Sequence, residues 1–238
     1  CLVGSEMCIR DRPKMAYDRA IAVFSPEGRL YQVEYAYKAV ENATTILGII
    51  YKGGVALFAY KTTNRLLVPE SSEKIMKVDE HVAMAFCGFV ADAHTLIEYA
   101  RIKAQVNRIT YNEPISIKSL AKMISLRKQQ YTQIGGIRPY GVSFLIAGVD
   151  EKEHLFETDP SGALREWLAR AVGRGAKLAN QILEKEYKED MSREEAIDMG
   201  IKIMKKCEKK VEANNIDVVI IENKKFRKLS EEEIKKYF

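Results

Sequence analysis

Apolar residues recur at helical spacing from Arg29 onward. Leu30, Val33, Tyr37 and Val40 share one face, while Gln32, Glu34, Lys38 and Glu41 lie largely elsewhere. This pattern predicts a helix laid across a larger body. A short β-prone run at 21–24 precedes it, followed by Ser25-Pro26-Glu27-Gly28, a turn in which Pro presets one backbone angle and Gly supplies a permissive one. Residues 44–51 are β-branched and apolar, Lys52-Gly53-Gly54 turns the chain, and 55–60 returns as a second strand. Unbroken apolar character predicts a hairpin buried on both faces. A second hairpin is expected from 74–78 and 81–87, turned at Asp79-Glu80.

Gly88 ends that segment, and 90–111 reads as a long helix with Leu96, Ile97, Ala100, Ala104 and Val106 facing the core. After Pro114, residues 116–131 form a second helix carrying Ile117, Leu120, Ile124 and Leu126. Gly135-Gly136-Ile137-Arg138-Pro139-Tyr140-Gly141 can only be a loop. Strands follow at 142–149, 154–158 and 164–172, with a turn at 159–162. Gly173-Arg174-Gly175 opens a helix to Tyr187, and Ser192-Arg193-Glu194-Glu195 is a capping box for another that runs to about Val211. A last strand covers 216–222, and Ser230-Glu231-Glu232-Glu233 caps a terminal helix.

Strand blocks are segregated from helix blocks, so the fold class is α+β, without alternating βαβ units. Two sheets face to face with helix pairs outside them, a four-layer αββα sandwich, would bury every apolar face. No linker or repeat divides residues 15–238, which read as one domain. Residues 1–14 lack periodicity, and Met15-Ala16-Tyr17-Asp18 reads as a natural start. The leader resembles translated adapter sequence and is expected to be artefactual. A signal peptide is the rival, but the leader has no apolar core and carries its charges late.

Composition changes this picture little. At 47% hydrophobic and 30% charged, the chain suits a soluble globular protein with a sizeable core. No apolar run of about 18 residues exists, so no membrane partner is expected. The net charge of +5 comes from lysines interspersed with acids, unlike the one-sided surface that nucleic acid requires. The four cysteines form no C-x-x-C pair and suit reduced thiols in a cytoplasmic setting. The three histidines have no metal-ligand spacing, so neither a metal nor another cofactor is expected.

The densest signal is Tyr17-Asp18-Arg19, then Phe24-Ser25-Pro26-Glu27-Gly28-Arg29, then Gln32-Val33-Glu34-Tyr35-Ala36. This order resembles the N-terminal signature of proteasome α subunits. Ser72-Glu73-Lys74-Ile75, Gly88-Phe89-Val90-Ala91-Asp92-Ala93, Gln129-Gln130-Tyr131-Thr132-Gln133, Gly136 through Val142 and Glu157 through Gly162 extend the resemblance, specifically to archaeal α subunits, over nearly all of 16–238. Departures occur at Ala22, Tyr37, Ala43 and Phe89, and along 166–175. The resemblance implies the αββα sandwich of the N-terminal nucleophile hydrolases.

Within that resemblance two functions stand. One is a non-catalytic α subunit, forming a seven-membered outer ring on proteasome β subunits. It would gate the entry of unfolded polypeptide and dock a regulatory ATPase ring. Tyr17, Asp18, Pro26 and Tyr35 match the gate-supporting cluster. Lys74, Gly88 and Phe89 match the pocket that receives an activator's C-terminal tail, with the lysine meeting the tail carboxylate. The alternative is a catalytic β-type subunit with Thr44 as nucleophile. That chemistry needs a free α-amino group, an acid after the second strand and a tuning lysine. Lys74 falls at the lysine position, but Tyr60 occupies the acidic one and Ala43 replaces the glycine that precedes a cleaved Thr. No catalytic residue is therefore assigned.

Overall fold

A computed structural model describes residues 22–62 and 66–238. The expected leader and the positions of Tyr17 and Asp18 lie outside the described residues.

The first helix, α1 (Tyr31–Asn42), buries Val33, Ala36 and Val40. The chain continues as β1 (Ile46–Tyr51), β2 (Gly54–Tyr60), β3 (Ile75–Asp79), β4 (Val82–Gly88), α2 (Val90–Tyr111), α3 (Ile117–Gln133) and β5 (Val142–Val149). It ends with β6 (Glu153–Thr158), β7 (Leu164–Glu166), β8 (Ala169–Val172), α4 (Ala176–Glu186), α5 (Arg193–Cys207), β9 (Ile216–Glu222), β10 (Lys225–Lys228) and α6 (Glu231–Lys235). Among the described residues the strands form two five-stranded sheets, ordered β10-β9-β2-β1-β8 and β3-β4-β5-β6-β7. All pairings are antiparallel.

Three apolar layers hold the four-layer sandwich together. Between the sheets, Ile46, Leu57, Ala59, Ala83, Ala85, Leu145, Ala147, Leu155 and Val219 interdigitate. Leu47, Phe58 and Val218 on the outer face of the first sheet meet Ala179, Ile197, Ile201 and Met204 of α4 and α5. Met84, Phe144 and Ile146 on the outer face of the second meet Leu96, Ile97, Leu120 and Ile124 of α2 and α3. Strands covered on both faces can be apolar at every position, which explains their lack of alternation. Val40 joins the inter-sheet layer, so α1 is clamped to the end of the sandwich.

The helix starts follow from local chemistry. Both expected capping boxes form: Ser192 pairs with Glu195 and Ser230 with Glu233. Helix α5 ends earlier than its periodicity suggests, at Cys207. Glu208 leaves the helix because its carboxylate is claimed by the distant Thr45.

Four expectations need correction. Val106 and Leu126 are about half exposed. Each lies two residues beyond a buried position, Ala104 and Ile124, and two residues turn a helix by about 200°. The expected strand 164–172 is two strands in different sheets. Trp167 still bonds Leu155 of β6, while Leu168 already receives the Ile50 amide of β1, so the chain changes sheets between them. Strand β10 was not anticipated: Asn223 and Lys224 both take positive φ, the geometry of a two-residue hairpin turn.

Candidate functional site

The residues of interest collect where α1 passes into β1. Ala43 caps α1 in an extended conformation, and its carbonyl accepts the Arg174 amide at 3.0 Å. Thr44 follows with its nitrogen in the peptide bond to Ala43. Its hydroxyl donates to the Tyr60 carbonyl at 3.0 Å and accepts from Lys74 Nζ. The Cys87 thiol reaches the Val40 and Thr44 carbonyls, each at 3.4 Å, tying β4 to the end of α1.

Beside this lies a second, fully satisfied cluster. Glu208 Oε1 accepts the Thr45 amide at 2.9 Å and the Thr45 hydroxyl at 2.7 Å, while Oε2 accepts Arg174 Nε at 2.8 Å. Burial pushes the Glu208 carboxyl up, but the Arg174 and Thr45 bonds outweigh it and hold it below the ordinary range. The same pair raises Arg174.

Lys74 contrasts with that cluster. Its ammonium is half-buried, and burial lowers its pKa against the opposing influence of Cys87 and Glu208. Among the described residues no carboxylate forms an ion pair with it, and its hydrogen bond goes to Thr44. Burial also pushes the Cys87 thiol up to about 12, so the sulfur is a neutral neighbour.

Gly88 and Phe89 lie at the same end of the β3–β4 pair as Lys74. The Phe86 amide bonds the Lys74 carbonyl at 3.1 Å, two residues before Gly88. Gly88 has φ +128°, a value that favours glycine. Phe89 precedes α2, donates its amide to Gly141 at 2.9 Å and leaves its ring half exposed. Arg138 sits 5.8 Å above that ring and pairs with Asp92 through two bonds of 2.6 and 2.7 Å. Asp92 also accepts the Gly141 amide at 2.9 Å, so the 135–141 loop is pinned to the start of α2.

Of the gate residues expected from the sequence, Pro26 occupies the tight turn before α1. Ser25 stabilises that turn by receiving the Gly28 amide at 2.8 Å and the Arg29 amide on its hydroxyl at 3.1 Å. Tyr35 is on the exposed side of α1. Sequence reasoning missed the Lys74–Thr44 bond, the Arg174–Glu208–Thr45 cluster and Lys128. The last is fully buried, donating to the Thr158 carbonyl at 3.0 Å and hydroxyl at 2.9 Å. No local pattern marks them, since each joins elements far apart in the chain.

Among the described residues no cluster could hold a metal ion, and no helix is long and apolar enough to cross a membrane. Two five-stranded antiparallel sheets with helix layers outside them are consistent with the class that the sequence defines. Residues 40–221 match the family described as proteasome subunit, and the chain belongs to that family. Residues 17–39 match the N-terminal signature of A-type proteasome subunits, which makes it an α-type member. It is 52% identical over 229 residues to the proteasome alpha subunit of Archaeoglobus fulgidus, covering 94% of this chain and 93% of that one. To the proteasome alpha subunit of Methanocaldococcus jannaschii it is 52% identical over 228 residues, covering 94% and 87%. To that of Pyrococcus horikoshii it is 50% identical over 228 residues, covering 94% and 88%.

Proposed function

We propose that this chain acts without catalysing peptide cleavage itself: residues 15–238 serve as one domain of a seven-membered outer ring that stacks on proteasome β subunits in the cytoplasm. Its N-terminal arm gates unfolded polypeptide, supported by Tyr17, Asp18, Pro26 and Tyr35. Lys74, Gly88 and Phe89 receive the C-terminal tail of a regulatory ATPase.

One arrangement carries the reading, the Lys74–Thr44–Tyr60 hydrogen-bond chain. An N-terminal threonine nucleophile needs its own free amine as base. Here Thr44 follows directly on α1, whose Val40 is buried in the inter-sheet layer, and the Thr44 hydroxyl proton goes to a carbonyl that cannot act as a base. Among the described residues Lys74 is left as a half-buried cation without a carboxylate, a strong receptor for an incoming one. The glycine at 88 lets the 135–141 loop pack directly against the end of β4 beside it.

The test is stimulation of peptide turnover in particles co-assembled with a β subunit. Removing one partner of a buried, hydrogen-bonded charge pair costs about 2–5 kcal/mol, roughly thirty-fold or more in affinity. Lys74→Ala is expected to abolish stimulation by an ATPase or its C-terminal peptide. Equal stimulation of wild type and variant would remove the docking assignment.

A further inference from the structure

An arriving carboxylate meets all the charge around Lys74, not the lysine alone. Lys74 donates to the Thr44 hydroxyl, and the next residue, Thr45, gives its amide and its hydroxyl to Glu208 Oε1 at 2.9 and 2.7 Å. Burial lowers the Lys74 pKa, Cys87 and Glu208 oppose that, and Arg174 adds to it. The Cys87 thiol is neutral, since burial pushes it up to about 12. Glu208 and Arg174 are bonded to each other: Arg174 Nε reaches Glu208 Oε2 at 2.8 Å, and a second guanidinium nitrogen holds the same oxygen. The pair is lopsided. The Glu208 side chain is 1% exposed and that of Arg174 is 47% exposed, so the acid faces inward and solvent reaches the guanidinium. The backbone fixes this placement. The Arg174 amide bonds the Ala43 carbonyl at 3.0 Å, and the Gly175 amide bonds the Thr45 hydroxyl at 3.0 Å. A Cβ on Gly173 would lie 2.9 Å from the Thr44 carbonyl oxygen, so residues 173–175 run in contact with 43–45. Arg174 also stands 5.8 Å over the ring of Tyr60, whose carbonyl takes the Thr44 hydroxyl.

We propose that Arg174 is a positioning residue for the Lys74 site: it holds the buried Glu208 carboxylate and so leaves the junction with a net positive charge for a partner's carboxylate. Lys74 and Arg174 stand against Glu208, two cations against one anion. Without Arg174, Glu208 would offset Lys74 and an incoming carboxylate would meet a neutral site. Arg174 lies in the 166–175 stretch along which this sequence departs from the α-subunit resemblance, so the device belongs to this chain's own sequence. The inference rests on the reading of Lys74 as a carboxylate receptor, and it adds the residue that keeps the receptor's charge uncompensated.

Two measurements on the full chain, co-assembled with a β subunit, separate the inference from that reading. The first is the pH dependence of Lys74 acetylation by acetic anhydride, followed by peptide mass spectrometry, which titrates the amine with no ligand present. Arg174→Gln is expected to move the Lys74 titration to higher pH, because Glu208 keeps its Thr45 bonds and then acts on the ammonium unopposed. Adding Glu208→Gln to Arg174→Gln should bring the titration back toward wild type, a rescue that a merely structural role for Arg174 would not give. Glu208→Gln alone should move it the other way, to lower pH, because Arg174 is then left without its acid. The second is the binding of a labelled peptide with a free C-terminal carboxylate against its amidated form. Arg174→Gln should weaken the carboxylate form about tenfold, the worth of about 1.4 kcal/mol, and leave the amidated form unchanged, with recovery in the double variant. An unmoved Lys74 titration in Arg174→Gln, or a shift that persists in the double variant, overturns the proposal. If Arg174→Gln does not fold, a Glu208→Gln chain in which the Lys74 titration stays in place or moves to higher pH overturns it instead. A titration that behaves as expected, while wild type does not distinguish carboxylate from amide, overturns the docking reading and leaves the Arg174–Glu208 pairing standing.

Discussion

Gly88 and Gly141 meet backbone to backbone. A Cβ on Gly88 would lie 2.1 Å from the Gly141 carbonyl oxygen, the same oxygen that accepts the Phe89 amide. A Cβ on Gly141 would in turn lie 2.3 Å from the Phe89 ring. The end of β4, the start of α2 and the 135–141 loop are thus packed without room for one methyl group.

Gly88→Ala should therefore destabilise the chain strongly. It adds a clash with backbone, which cannot rotate away, to a φ of +128°. A cost on the order of 2–4 kcal/mol is expected from strain and displacement together. Gly135→Ala is the control, since its Cβ meets nothing within 4 Å. Thermal unfolding of the two variants should show a large drop for Gly88→Ala and little change for Gly135→Ala. Similar melting temperatures would contradict the packing described.

Lys128 predicts a pH dependence. Complete burial lowers its pKa from the ordinary lysine range to about 7, with Asp159 and Glu157 partly compensating. Its ammonium also faces Phe144 at 5.5 Å. The sign follows from proton counting: between about pH 7 and the unfolded-state value near 10.4, the unfolded chain holds the proton more tightly. Stability contributed by this group must therefore rise with pH across that window, and the cost of the buried charge is fully present below it. Lys128→Met keeps an unbranched chain of similar length and removes the charge. Relative to Lys128→Met, wild type should gain stability from pH 7 to pH 10, by up to a few kcal/mol. Parallel melting curves across that range would mean the amine keeps an ordinary pKa.

Thr44 should be chemically silent. The purified chain is expected to leave fluorogenic peptides uncut, and Thr44→Ala should be indistinguishable from it in that assay. Intact mass should not begin at Thr44. Hydrolysis that disappears with Thr44→Ala would overturn the non-catalytic reading, because only a nucleophile would produce that pattern.

Much of the architecture was legible because it is written locally. Helix α2 begins and ends where its periodicity does, at Val90 and Tyr111. The two Ser-x-x-Glu boxes start their helices, and unbroken apolar runs mark strands covered on both sides. The Phe-Ser-Pro-x-Gly-Arg signature points to the family, since its residues are contiguous. Lys74, Gly88 and Phe89 stand in short contiguous motifs, which is why the sequence could nominate them as candidates.

What escaped the linear pattern depends on contacts between distant segments. Residues 164–172 are one β-prone run, yet the sandwich needs a strand on each sheet, so β7 and β8 part at Trp167 and Leu168. No local pattern marks Lys128, which α3 turns toward Thr158 across the fold. Helix α5 ends at Cys207, just before Glu208, whose carboxylate is captured by Thr45 and Arg174, and Thr45 lies more than a hundred positions away. Periodicity and turn chemistry act over a few residues and can be read along the chain. Which charge is paired, and which lysine is left without a carboxylate beside Thr44, is set by where the fold brings β1, β3 and the end of α5 together in space.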